Sequence, residues 1–346
     1  MAVSMIPDRR NGAMKSLLER YGLLAALVAM IAFFAIKEPN FVNPTNVTSM
    51  LRTVAVMFIM VCGLTWIVAT GKIDVSFYAV AALSNVVVAS LVQGGWDWTT
   101  AYAVAVVIAV VVGFVNGYLI SYLDLPDLVV TICSASFLVS LALVLSSGSS
   151  FGIDRPGWLF EFMHATVGDF VGREGTETAG GIGPVPLVLL VAVLVLAVTW
   201  FTQERLTFGH YIYAQAGNYE AVHEAGVKVR QLNLLLFIFS AIMAATAGVL
   251  VAAEFRTGQP NIGASYFIDG LTAVFLGSLF LRAGQANVIG TFVGVVFLVV
   301  IGRGAAVMGW LSNEGIGEMI KASILLLGTG LAIFAQSRSR DASHEV

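Results

Sequence analysis

Charge is what this sequence has least of. Lys and Arg number 18 and Asp and Glu 21 in 346 residues, so charged side chains make up only 11%, less than half the roughly 25% of ordinary soluble domains. A chain so poor in charge lacks the polar surface to cover itself in water. The net charge of -3 also excludes the concentrated basic face that a nucleic-acid partner needs. Cysteine is nearly absent. Cys62 and Cys133 both fall in apolar runs without disulfide or metal spacing, and they read as small buried hydrophobes. The four histidines, His164, His210, His223 and His344, show no metal-ligand spacing either. No G-x-x-x-x-G-K-[ST] occurs, and Gly71-Lys72 is the only Gly-Lys pair. The chain therefore has no phosphate loop on which to hold a nucleotide. "GSSFG", Gly148 to Gly152, fits the serine-hydrolase G-x-S-x-G pattern, but that elbow needs a strand before it and a helix after it. Here an apolar helical run precedes it and a polar loop follows.

What is present is hydrophobic: 58% of residues, with a mean hydropathy of +0.89. The solvent is therefore a bilayer. A membrane helix needs roughly 20 mostly apolar residues to cross a hydrocarbon core of about 30 Å. By that ruler, spans are predicted near 21–36, 50–70, 76–92, 101–121, 128–146, 187–202, 232–253, 267–281, 287–303 and 318–335. The predicted fold class is all-α, a polytopic membrane protein with about ten transmembrane helices. The first span resembles a signal peptide, but "AIKEPNF" offers no small-residue cleavage site.

Ten spans put both termini on one side. That side holds Arg9, Arg10, Lys15, Arg20, Arg338 and Arg340, together with Arg205, Lys228 and Arg230. The excess of basic residues predicts cytoplasmic termini. The expected organisation is a cytoplasmic segment 1–20, a membrane domain 21–335, and a cytoplasmic tail 336–346. Within the membrane domain, 147–186 is an extracytoplasmic loop and 203–231 a cytoplasmic one. The outer loop reads as solvated or as a docking surface, with Trp158, Phe160 and Phe162 as headgroup anchors.

Ionisable groups at membrane depth cost roughly 2.5–3.5 kcal/mol on insertion scales and are functional candidates by default. Asp74 lies between two apolar runs beside Lys72, and Asp269 near the start of a span. A local pair with Lys72 or a helix cap also accounts for Asp74, and a favourable helix N-terminal position for Asp269. Glu254 and Arg256 flank the end of one run. Asn85, Asn116 and Thr131 read either as bonds between helices or as solute contacts. Many of the 35 glycines lie inside spans. Such glycines suit a tightly packed bundle with short or broken helices, as transport proteins use.

The longest polar interruption between spans on the basic side is "GHYIYAQAGNYEAVHEAGVKVRQ", Gly209 to Gln231. Asn218 is a reasonable N-cap, Ala and Glu supply one or two helical turns, and Gly226 is a stop. A plain connector between packed helices would more often be about 2–8 residues.

This segment resembles the membrane permease subunit of ribose-type ABC importers. The family pattern G-x-Y-x-Y-A-x-G-x-N-x-x-A-A-x-x-x-G-I is matched by Gly209, Tyr211, Tyr213, Ala214, Asn218, Ala221 and Gly226, with Gly217 one place past the second glycine and Val227 at the isoleucine. Gln259-Pro260, Gly263, Asp269, "AVFLG" ending at Gly277 and Gly290-Thr291 also fit. "TGKIDVS" resembles the family's G-G-I-D-L-S turn. Lys72 replaces a glycine there, Phe77-Tyr78 replace Val-Gly, and "GSLFLRAGQANVIGT" keeps only part of a glycine-rich run. The similarity covers about residues 40–335.

The resemblance implies two permease chains, identical or different, enclosing a path in the bacterial inner membrane. Each rests on a cytoplasmic ABC ATPase that binds ATP and Mg, leaving no cofactor in this chain. A periplasmic solute-binding protein delivers a monosaccharide or polyol. Gly209, Gly217, Asn218, Glu220, Ala221, His223, Glu224 and Gly226 would then couple the chain to the ATPase. Asp74, Ser76, Phe77, Tyr78, Asn116, Thr131 and Asp269 would line the path, with no catalytic or metal residue. A nucleoside, autoinducer or branched-chain amino-acid permease of similar fold is the alternative within transport. An ion-coupled secondary transporter is the alternative from another class, and it has no reason to keep a coupling segment.

Overall fold

The computed structural model describes residues 9–155, 157–170, 185–281 and 284–309, with positions 319, 323 and 326; for 9–20 and 170 it describes the backbone alone. The described residues are helical nearly throughout. In order come α1 (Arg9–Lys37), a 3-10 turn (Pro39–Val42), α2 (Pro44–Ala69), α3 (Phe77–Gln93), α4 (Trp98–Ser121) and α5 (Asp127–Leu145). Next are β1 (Phe151–Gly152), α6 (Trp158–His164), α7 (Val167–Phe170), α8 (Leu187–Arg205), α9 (Thr207–Gly217) and α10 (Tyr219–Glu224). The chain continues through α11 (Val229–Phe255), β2 (Thr257–Gly258), α12 (Gly263–Gly277) and α13 (Val288–Val307).

Several helices begin where an Asn or Asp side chain takes an orphan N–H, the general solution at a helix start. Asn43 accepts from Thr45 N at 3.0 Å with Pro44 opening α2, Asp97 accepts from Thr99 N at 2.8 Å, and Asn287 accepts from Gly290 N at 2.7 Å.

Among the described residues, six helices are long and apolar enough to cross a membrane: α2, α4, α5, α8, α11 and α13. This is an all-α polytopic architecture. Tyr21–Lys37 of α1, α3 and α12 are apolar but shorter. At 1.5 Å per residue, the 17 residues of α3 reach about 25 Å and the 15 of α12 about 22 Å, short of a full hydrocarbon core. Apart from three positions, the span expected at 318–335 lies outside the described residues. So do residues 1–8, the tail 336–346, and the stretch 171–184 containing Arg173.

α11 is the hub of the bundle, packed against α4, α2 and α3, while α12 packs on α13 and α1 lies against α13. Close helix approach replaces the hydrophobic drive that a bilayer does not supply. A Cβ on Gly277, Gly290 or Gly294 would collide with backbone of the facing helix, so α12 and α13 touch main chain to main chain.

Most of the expected outer loop that is described is not irregular. α6 and α7 fold within it, Met163 and Leu159 are buried, and Phe162 packs on the core. Trp158 is half exposed and donates to Thr99 Oγ1 at 3.1 Å. β1 pairs antiparallel with β2, which joins this loop to the link between α11 and α12. The "GSSFG" stretch runs from a turn into β1 and lacks the strand-to-helix elbow of a hydrolase.

Candidate functional site

Two constellations carry the residues singled out by sequence. The first is the link between α8 and α11. α9 folds back against the end of α8 because Gly209, without a side chain, lets its backbone lie on the carbonyl of Gln203. Tyr213 then donates its hydroxyl to the carbonyl of Ala286 at 3.1 Å, just ahead of α13. Gln203 reinforces the same joint, its Oε1 accepting from Val288 N at 2.9 Å. The first residue of α13 is thus held by the last turn of α8, and α9 is fixed to both.

From that base α10 projects. Asn218 Oδ1 accepts from Ala221 N at 3.0 Å and caps the helix, and Gly226 ends the turn at φ +82°, a conformation that suits glycine. Val222 is the one buried side chain of α10. Gly217, Asn218, Glu220, Ala221, His223, Glu224 and Gly226 are all exposed. The Tyr219 and His223 rings stack with centroids 6.5 Å apart. Gly209 differs from the others: it is buried, and its part is to seat α9 rather than to offer surface.

The second constellation surrounds the extended stretch between α2 and α3. Asp74 Oδ1 accepts from the N–H of Ser76 at 2.8 Å and from its hydroxyl at 2.6 Å. Its Oδ2 accepts from Ser240 Oγ at 3.0 Å. Asn116 of α4 donates to Ser76 Oγ at 3.0 Å, and Ile73 N donates to the carboxylate of Asp127. The partners of Asp74 are therefore serines, and Lys72 is not among them. Ser240 stands eleven residues into α11, about 16 Å of helix rise. The chain after α2 thus re-enters the bundle as non-helical backbone. At such depth this is tolerated only where protein buries it and satisfies its polar groups.

Asp74, Ser76, Phe77, Asn116 and Thr131 are each at most 3% exposed. In this arrangement they bind one another and the bundle. Thr131 bonds its own helix through Asp127 O at 2.8 Å. Tyr78 is half-buried against Phe267, ring centroids 5.1 Å apart. Asp269 is half-buried on α12, well away from the Asp74 network in sequence and beside Tyr266. No group of three or more His, Cys, Asp or Glu is placed to hold a metal among the described residues.

A protein family described as the permease component of the branched-chain amino acid transport system matches residues 46–329. The chain belongs to that family. The permease is 28% identical over 292 residues to the ribose import permease of Bacillus subtilis, covering 84% of this chain and 86% of that one. It is 27% identical over 327 residues to the ribose import permease of Escherichia coli K12, covering 94% and 97%. With an L-arabinose ABC transporter permease of Azospirillum brasilense it shares 24% over 295 residues, covering 85% and 82%. No solved structure gives a significant match.

Sequence reading missed Ser240, Gln203 and Arg303 of this permease. A serine in an apolar helix carries no signal until its partner is known. Gln203 stood at the boundary of a predicted span. Arg303 was assigned to the end of one, although it lies four residues inside α13.

Proposed function

We propose that this permease is the membrane subunit of an ATP-driven ABC importer for a monosaccharide or related polyol. The observation that carries the reading is α10, an Asn218-capped helix with one buried side chain and an exposed polar face, mounted through α9 on both α8 and α13. That is the shape of a docking element for another protein. Ribose and arabinose permeases among the relatives support a sugar as solute.

In the full topology the described helices and the 318–335 segment make ten spans, with both termini and α10 on the cytoplasmic face of a bacterial inner membrane. A second permease chain encloses the path. A cytoplasmic ATPase binds ATP and Mg and receives α10, while a periplasmic binding protein delivers the solute on the opposite side. The Asp74 network holds the re-entrant segment and so fixes α3 beside the path, where Tyr78 and Asp269 are the accessible polar side chains.

The test is reconstitution in liposomes with the ATPase and binding protein from the same source, supplied with labelled D-ribose and L-arabinose. Replacing Glu220–Gly226 with a Gly-Ser stretch should leave the chain in the membrane and stop ATP-dependent uptake. Uptake at the wild-type rate after that replacement would refute the coupling role.

A further inference from the structure

At the far end of α13 from the Gln203–Val288 joint, three elements enclose a cavity of about 430 Å³. The 3-10 turn contributes Asn40, the start of α2 contributes Asn43, Thr45, Asn46 and Ser49, and α13 contributes Arg303 beside Val307. No acidic residue lines it. Asn40, Asn43 and Thr45 are exposed, so the cavity opens to the surface.

Its walls offer mainly donors. Arg303 gives one Nη2 proton to Ser49 Oγ at 2.6 Å, and its other N–H groups bond nothing among the described residues. Ser49 takes that bond on its oxygen and still has its own proton to give. Asn43 Oδ1 is occupied as the cap on Thr45 N at 3.0 Å, which leaves its NH₂ group uncommitted. The Thr45 hydroxyl is uncommitted as well. Only Asn40 and Asn46 have their amide N–H groups engaged, on Glu38 Oε1 at 3.1 Å and on Phe41 O at 2.8 Å. Glu254 of α11 meets the charge of Arg303, but it stands beyond 4.0 Å and forms no wall.

A guanidinium and an amide NH₂ donate only, and a hydroxyl has a proton to give. Walls with this balance call for a ligand rich in acceptors, and a cation within an apolar bundle calls for negative charge. A phosphodiester meets both demands, because its anionic oxygens accept the paired N–H groups of an arginine fork. The amides and hydroxyls at the rim then match the hydroxyls of a glycerol headgroup. An ammonium headgroup would find no carboxylate on these walls. Location decides the source of the phosphate. Ile36, four residues before Asn40, and Val42, next to Asn43, are exposed apolar side chains, a surface on which acyl chains can lie while the headgroup is held. Basic pockets between membrane helices are a general solution for anionic headgroups.

We propose that this cavity holds the phosphoglycerol headgroup of an anionic phospholipid, with Arg303 on the phosphate, and that the lipid ties the end of α13 to the start of α2. The inference is independent of which solute the permease carries.

The experiment is native mass spectrometry of the delipidated full-length permease, given equal amounts of dioleoyl phosphatidylglycerol and dioleoyl phosphatidylcholine. The lipid that survives collisional removal should be phosphatidylglycerol, in about ten-fold excess, the worth of one charged hydrogen bond. Arg303→Gln should bring the two lipids to parity. Arg303→Lys, which keeps the charge and loses the fork, should fall between. Arg155→Gln removes an exposed cation that is not a wall of the cavity, and it should leave the preference unchanged. Equal retention of both lipids by the wild type would overturn the site, and so would an equal loss of preference in Arg155→Gln and Arg303→Gln. Displacement of the lipid by an equimolar amount of soluble glycerol 1-phosphate would overturn the lipid source and assign the cavity to a free phosphate ester. Should Arg303→Gln fail to fold, the wild-type preference and Thr45→Val decide without it. Thr45→Val removes only a rim hydroxyl and should lower the preference several-fold, and an unchanged preference in it would overturn the placement of the headgroup.

Discussion

The hydroxyl of Ser240, midway along α11, donates to the carboxylate of Asp74 at 3.0 Å and so ties the hub helix to the re-entrant chain between α2 and α3. Side-chain hydrogen bonds inside membrane proteins average about 0.6 kcal/mol and reach about 1.7. Ser240→Ala should therefore cost something in that range in thermal unfolding. Asp74→Ala removes the acceptor of three hydrogen bonds at once. It should abolish uptake while the chain still assembles with its ATPase. Normal transport by Asp74→Ala would show that the re-entrant segment does not need its anchor.

Tyr213→Phe deletes only the hydroxyl that reaches Ala286 O, a net loss of about 0.5–1.5 kcal/mol. ATP hydrolysis by the assembled importer should persist, and solute moved per ATP should fall several-fold. Hydrolysis and uptake measured on the same liposomes provide the ratio. A constant ratio would place the mechanical joint elsewhere.

A pair of glycines separates packing from surface. Gly290→Ala pushes a methyl into the backbone of Gly277, an overpacking cost of about 1–3 kcal/mol. Lowered melting temperature in detergent is the expected readout. Gly217→Ala meets nothing within 4 Å, so it should leave the melting temperature unchanged.

In the loop that carries α7, Asp169 accepts from the N–H of Thr166 at 2.7 Å and from its hydroxyl at 2.9 Å. These bonds hold its carboxyl below the usual carboxylate range. A depressed carboxylate contributes stability that is fully present above its unfolded value of about 3.9 and is lost as pH falls through the lower folded value. Amide protection at Thr166, corrected for intrinsic exchange, should fall as pH drops below about 4. In Asp169→Asn it should be low and flat. An identical pH profile in the variant would assign the protection to the Thr166–Pro186 bridge instead.

Hydropathy made the long helices legible because each of them alone must satisfy a bilayer. α2, α4, α5, α8, α11 and α13 coincide with predicted spans to within a few residues, apart from the first turns of α2. α10 was legible too, since Asn218 and Gly226 are local signals that need no tertiary partner. Asp74 was legible as an oddity, but its partners were not. Ser240 lies 166 residues away, and only the packing of α11 against α2 and α3 brings the two together. The outer charges were hidden for a different reason. Glu254 was read as flanking the end of an apolar run, while Arg52 and Arg303 fell unremarked within the spans expected at 50–70 and 287–303. The folding of α6 and α7 within the outer loop also escaped composition, because glycine, serine and proline there pointed to plain solvated chain.

The two-residue pairing of β1 with β2 has a mechanical consequence. Phe151 and Gly152 are bonded to the Thr257–Gly258 stretch, Ile153 N to Arg256 O at 2.7 Å, and Gln259 N to Asn85 of α3. Any partner that presses on the loop after α5 therefore presses on a strap whose far end is fastened to the middle of α3 and to the end of α11. A load on the loop is thereby carried into the bundle at α3 and α11 instead of being lost in slack chain.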